Sequence, residues 1–171
     1  MNDLTYTDYQ TYFETIASAH NDVKDFSHYN VSGEPFPLAH LQSFLSKLKN
    51  AKTPFLLLEQ YAAGYSDNNA DTWLKNADGA FLILAKVKNR KDEDIKELLG
   101  TTEQIAEEIV GYMLDDFKST TKVSKAYLDL NDFQIEAIGE VHGYIGVRVD
   151  FTINQSVWQK LQYKADKFTF S

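Results

Sequence analysis

Four consecutive residues, 55–58, form the apolar run Phe-Leu-Leu-Leu. A strand with one face in water alternates apolar and polar side chains, whereas a strand without polar positions is buried on both faces. We therefore predict a central strand over residues 55–65, in a sheet that is covered on both sides at this point. A chain of 171 residues is long enough to build one core of this kind.

Residues 80–88 predict a second strand. Its odd positions from 81 to 87 are apolar, whereas its even positions change to lysine at Lys86 and Lys88. We expect one face of this strand to be dry and the other to emerge into water at the strand's end. The polar residues 66–71 between the two strands predict a loop.

Residues 133–153 predict two strands with apolar odd positions on both sides of a turn. A two-residue turn would put Ile135 opposite Asp150, whereas a three-residue turn at 142–144 puts it opposite Phe151. Because a slip of one residue moves every side chain to the other face, we prefer the three-residue turn. Glycine at position 143, 139 or 146 would allow the bulge that this register needs.

Three segments have the apolar spacing of an amphipathic helix: residues 3–20, 38–50 and 92–118. Gly100 interrupts the third segment, and the Thr-Thr-Glu-Gln sequence that starts at Thr101 fits a capping box. We therefore expect a short helix that ends near Leu99 and a new or kinked helix from Thr102.

The predicted order is α-α-β-β-α-β-β, with residues 21–34 as an irregular loop or a short edge hairpin. This order is typical of an α+β fold with a mainly antiparallel sheet and helices packed on one face. We expect a single domain over residues 1–171. Within it, residues 154–171 form either a last short strand or a C-terminal arm that docks on a neighbouring molecule.

The composition excludes several classes of function. The chain has no cysteine, which excludes disulfides, zinc–thiolate sites and cysteine nucleophiles. Seventeen basic and 25 acidic residues give a net charge of −8, which opposes sequence-independent binding to nucleic acid. The first residues show no signal-peptide pattern and no segment is apolar enough to span a membrane, so we expect folding in a cytoplasm and no membrane partner.

No catalytic constellation stands out in the sequence. The four histidines lack the spacing of a helical zinc pair, and no phosphate-binding glycine loop or nucleophile elbow occurs. We therefore expect a protein that is not an enzyme, with no catalytic residue, no metal ligand and no cofactor.

Charged and aromatic residues supply the candidates for an interface. The basic residues at 86–91 are either a solvated strand end or a contact for phosphate or an acidic partner. Arg148 lies in a strand near Asp150, on the side opposite the apolar one, and forms either a salt bridge across strands or a subunit contact. The candidate interface residues are Arg148, Asp150, Lys86, Lys88, Arg90, Trp158, Phe168 and Phe170.

The layout of residues 37–153 carries a family resemblance. Its elements are the strands at 52–59 and 78–84, the helix through 105–110 and the closing hairpin with Gly-Tyr-Ile-Gly-Val-Arg-Val-Asp-Phe at 143–151. In this layout the chain resembles the tail-terminator or tail-completion proteins, which join head and tail in long-tailed phages.

The resemblance implies a structural protein of the virion, assembled in the host cytoplasm. It implies a homo-oligomeric ring, usually a hexamer, at the head-proximal end of the tail. Such a ring stops polymerisation of the tail tube and joins the tail to neck or connector proteins. DNA passes through its lumen without specific binding, and a net negative charge suits that passage because it repels DNA.

Two other classes of function stay open. One is a small-molecule-binding or enzymatic domain with an aromatic pocket formed by Tyr61, Tyr65, Trp73 and Tyr144. A ligand-dependent rise in melting temperature would support it. The other is an adaptor or immunity-type protein whose acidic surface sequesters a basic partner, which predicts a monomer and salt-dependent association.

Overall fold

The computed structural model describes residues 5–29, 51–67, 73–88, 90–119, 126–157, 161–162, 164 and 167. Over these residues the chain forms an α+β fold with a mainly antiparallel sheet, which confirms the predicted class. The helices are α1, Tyr6–Ala19, and α2, Asp92–Ser119. The strands are β1 Asp25–Tyr29, β2 Phe55–Glu59, β3 Ala62–Asp67, β4 Trp73–Lys86, β5 Ala126–Tyr127, β6 Gln134–Val141 and β7 Tyr144–Ser156. The predicted helix at 38–50 lies outside the described residues.

Two long antiparallel strands, β4 and β7, form the middle of the sheet and pair from Leu74–Ser156 to Lys86–Tyr144. Along the other edge of β4, β2 pairs with the inner part of the strand and β3 with its outer part. β6 and β5 divide the other edge of β7 in the same way. β1 adds a parallel strand beside β2.

Both described helices pack on the same face of the sheet, as predicted. The buried stripe of α1 places Tyr9 and Phe13 against Phe81 and Phe151, and the ring centroids of Phe13 and Phe151 are 5.4 Å apart. The buried residues of α2, among them Ile109, join the same cluster. Burial of each of these large side chains contributes roughly 2–3 kcal/mol and fixes the helices on the sheet.

The second face of the sheet carries a smaller cluster. Phe55 and Leu57 of β2 pack there with Leu82, Leu84 and Tyr144. Every side chain of β2 is buried, whichever face it is on. The prediction of a strand buried on both faces is therefore confirmed for residues 55–59.

The predicted helix end near Leu99 is wrong, because α2 runs through Gly100 without interruption. The hydroxyl of Thr101 donates to the carbonyl of Glu97 at 2.9 Å, and that of Thr102 to the carbonyl of Leu99 at 2.9 Å. These side chains therefore bond back to the preceding turn instead of capping a new helix. An internal glycine costs a helix about 1 kcal/mol, which the buried face of a 28-residue helix offsets.

The predicted strand bounds need correction. The strand at 55–65 is two strands that part at residues 60–61, and β3 continues to Asp67, into the predicted loop. β4 starts at Trp73, seven residues before the predicted start. In the segment 21–34, β1 is an edge strand. β3 and residues 73–76 of β4 do not alternate between buried and exposed positions, so no apolar periodicity marks them in the sequence.

The predicted register of the β6–β7 hairpin is also wrong. The turn has two residues, His142 and Gly143, with φ of 51° and 80°, and Val141 pairs with Tyr144. Positive φ at both turn residues is typical of tight hairpins. A bulge between positions 138 and 141 then restores the pairing of odd residues with odd residues, so Ile135 lies opposite Val149 and not Phe151.

Candidate functional site

Arg148 is the centre of an ion-pair network on the second face of the sheet. Its guanidinium donates to the carboxylate of Glu59 on β2 and to that of Asp150 on its own strand, with Nη2 to Oδ1 at 2.8 Å. The residue opposite Arg148 on β6 is Glu136. Two of the predicted site residues, Arg148 and Asp150, are therefore brought together.

Burial dominates the electrostatics of this network. The Glu59 side chain is 8% exposed and that of Arg148 26%. Loss of water raises the pKa of the Glu59 carboxyl, and the attraction of Arg148 offsets only part of that rise. The network joins β2 to β7 across β4, which is a structural role. The sequence signal for Glu59 is a charged residue directly after four apolar ones, which indicates a buried charge that needs a partner.

The basic residues at 86–91 lie at and beyond the C-terminal end of β4, where the strand reaches solvent. Lys86 and Lys88 are exposed. Arg90 is 79% exposed and its Nη2 lies 2.8 Å from Oε1 of Glu140 on β6. This part of the predicted interface faces water beside the β6–β7 turn, far along the sheet from β3. The C-terminal candidates Trp158, Phe168 and Phe170 lie outside the described residues, while residues 154–156 of the predicted arm belong to β7.

The sequence analysis did not separate β3, the most exposed strand in the described part of the sheet, from β2. All six residues of β3 are exposed, and Tyr65 is 63% exposed. Within the described part of the chain, β4 is the only strand that pairs with β3. Residues 62–66 are Ala-Ala-Gly-Tyr-Ser, without the lysine or proline that commonly protects an edge strand. The outer edge of β3 thus offers backbone hydrogen-bonding groups to another strand.

The structure does not assemble the predicted aromatic pocket. Tyr144 packs against Phe55 on the second face, with ring centroids 5.6 Å apart. Tyr61 instead lies against Tyr9 near the start of α1, with ring centroids 5.0 Å apart. Tyr65 is largely in solvent. These tyrosines therefore do not line one cavity.

The outer surface of the helices concentrates the negative charge of the protein. Helix α2 contains nine acidic and two basic residues, and α1 contains two acidic residues and no basic one. The helices together carry −9, whereas the whole chain carries −8. The remainder of the chain carries +1, which divides into −4 on the strands and +5 on the residues outside these helices and strands.

No group of three or more potential metal ligands occurs in the described ranges. None of the described helices is both long and apolar enough to cross a membrane. No protein-family model matches the chain, and no curated protein matches it. The site is therefore characterised by its own geometry: an open β-edge, a buried ion-pair network and an acidic helical surface.

Proposed function

We propose that this protein is a ring-forming structural subunit of a phage-type tail, which ends the tail tube and joins it to the neck. The observation that carries the proposal is the outer edge of β3. Burial adds little stability to a strand whose side chains are all in water. The outer edge of such a strand suits pairing with a strand of a neighbouring subunit.

The shape of the sheet supports assembly through this edge. The outer part of β4 pairs with β3 and with the end of β7, at residues 73–78 and 152–156. This outer part also contains β5 and includes the exposed strand β3, whereas the inner part of the sheet is buried under the helices. Backbone hydrogen bonds between edge strands hold identical subunits in a fixed relative orientation, as a closed ring requires.

The charge distribution is compatible with the same proposal. The strands carry a charge of −4, while the two helices carry −9. Subunits that meet through β3, whose one charged residue is Asp67, bring strands and not the more acidic helices into contact. An acidic helical surface turned towards a lumen would repel DNA, which suits passage without binding.

The test measures the mass of the full chain by light scattering, together with negative-stain images of the same peak. One subunit has a mass of 19.5 kDa, so a six-membered ring has about 117 kDa. Successive residues of a strand point their N–H groups to opposite edges. One of the variants Ala63→Pro and Gly64→Pro therefore removes only an outward N–H, and it is expected to give a folded monomer.

A monomer at the highest soluble concentration, also in the presence of purified tail tubes, would contradict the proposal. Rings that persist in both proline variants would show that the contact between subunits does not use β3. A rise in melting temperature with a small molecule, without any assembly, would favour the ligand-binding class instead.

A further inference from the structure

A groove of about 400 Å³ lies between the end of α1 and the middle of α2. Its floor is apolar, because Ile16 and Ile109 are buried beneath it and Ala19 forms part of its wall. The ring of Tyr112, which is 52% exposed, stands at its side. The groove thus offers an apolar base and one accessible aromatic face.

The polar part of the groove is negative. The residues that line it include Asp22 and Glu108. The carbonyl groups at the end of α1 add the partial negative charge of a helix C-terminus, and no basic residue occupies the last turn of that helix. The ammonium group of the nearby Lys24 donates a hydrogen bond to the backbone carbonyl of Asn21.

Neighbouring side chains hold the carboxylate of Glu108 in place. Gln104 Nε2 donates to Oε1 at 3.0 Å, and His20 Nε2 lies 3.0 Å from Oε2. The hydrogen bond from Gln104 has the largest part in lowering the pKa of Glu108, and the contact with His20 lowers it further. The Glu108 carboxyl therefore stays ionised. A carboxylate has about four acceptor positions, and these two contacts leave the others for a ligand.

We propose that this groove binds an arginine side chain presented by a positively charged segment of a partner protein. The planar guanidinium fits flat against Tyr112 and donates to Glu108 and Asp22, while its aliphatic stem covers the apolar floor. A second copy of this chain is the poorer occupant, since its helices carry the same negative charge. The proposal does not depend on ring assembly.

The experiment titrates the full chain with the peptide fluorescein-Leu-Arg-Leu-Arg-Leu-amide and follows fluorescence anisotropy. A second peptide replaces each arginine by citrulline, which has nearly the same shape without the charge. Glu108→Gln is expected to weaken binding of the arginine peptide about fivefold. The matched control is Glu103→Gln, which removes the same charge from an exposed position on α2 outside the groove. This control is expected to leave the affinity unchanged.

Amide chemical-shift mapping with the same peptide locates the site. The proposal expects shifts at residues 16–22 and 108–112, and weak binding of the citrulline peptide. Equal weakening by Glu103→Gln and Glu108→Gln would mean that the peptide responds only to net charge, which overturns the proposal. Shifts spread along α2, or no binding by the wild-type protein, would overturn it as well. If Glu108→Gln weakens peptide binding but leaves the ring mass unchanged, the loss of binding does not come from a loss of ring assembly.

Discussion

The centre and the margins of the sheet share the strands β4 and β7 but differ in what surrounds their side chains. The centre comprises β2, residues 77–85 of β4 and residues 145–151 of β7, where nearly every side chain is buried. The margins are β3, which is exposed throughout, and the strand ends beside the turn at residues 142–143. Hydrogen bonds hold β3 without burial of its side chains, whereas burial holds the centre, and beside the turn Tyr144 is still buried against Phe55. The margins are therefore free to serve an interface.

The largest difference is expected between two glycines. Gly146 lies opposite Leu84, and a Cβ there would overlap the backbone oxygen of Ile83. Gly64 on β3 has open space around the same position. Gly146→Ala must separate β4 from β7 and is expected to lower the free energy of unfolding by about 3 kcal/mol or more. Gly64→Ala should change it by less than about 0.5 kcal/mol.

Urea unfolding followed by circular dichroism measures both variants. Comparable losses of stability at the two positions would remove the distinction between centre and margins. Should Gly146→Ala not fold at all, its loss still contrasts with a stable Gly64→Ala.

The centre could be predicted from the sequence because burial leaves a periodic apolar pattern. Residues 55–58 and the odd positions of β4 and β7 identified the strands, and the spacing along 92–118 identified α2. The extent of β3 and of the outer part of β4 could not be predicted, since their side chains do not alternate in burial. The hairpin register failed for another reason. The two-residue turn and the bulge together pair odd-numbered residues with odd-numbered residues, which a single three-residue turn was expected to do.

The candidate site was predicted in part for the same physical reason. Arg148 stands out as a charge within an apolar strand, so a partner across the sheet could be expected. Its main buried partner, Glu59, is distant in the sequence and required the sheet order β2–β4–β7. The groove beside Tyr112 depends on how two helices pack, which no local pattern encodes.

The chain's only two arginines provide the next test. Arg148 pairs with the buried Glu59 in the centre, and Arg90 pairs with Glu140 at the margin. Arg148→Ala leaves a carboxylate in the interior without its cation, and the expected loss is about 2 kcal/mol. Arg90→Ala removes an exposed pair and should cost less than about 0.5 kcal/mol. Chemical denaturation of the two variants decides this, and a larger loss at Arg90 would contradict the assignment of the buried network to the centre.

The pH dependence of stability isolates the buried carboxyl. Because the pKa of Glu59 is raised in the folded protein, the folded state holds this proton more tightly than the unfolded state does. The contribution of Glu59 to stability is therefore fully present below the ordinary glutamate pKa and is lost as pH rises through the raised value. Relative to Glu59→Gln, the wild-type protein should lose free energy of unfolding as pH increases above about 4.5.

Unfolding curves of the two proteins, measured in parallel from acidic to neutral pH, give this difference directly. Glu140→Gln is the matched control at the margin. A wild-type protein that gains stability over Glu59→Gln with rising pH would show that the attraction of Arg148 outweighs the cost of burial.

The smallest expected effect is a gain. Gly64 of β3 lies opposite Asn76 of β4 and has room for a side chain. Gly64→Thr adds a residue with high strand propensity and restricts the unfolded chain, so the monomer should gain about 0.5 kcal/mol in its free energy of unfolding. A natural sequence that keeps glycine here gives up this gain. If Gly64→Thr stabilises the monomer yet reduces ring mass in light scattering, the space at this position belongs to the neighbouring subunit. If it stabilises the monomer and leaves assembly intact, the contact between subunits does not use this face of β3.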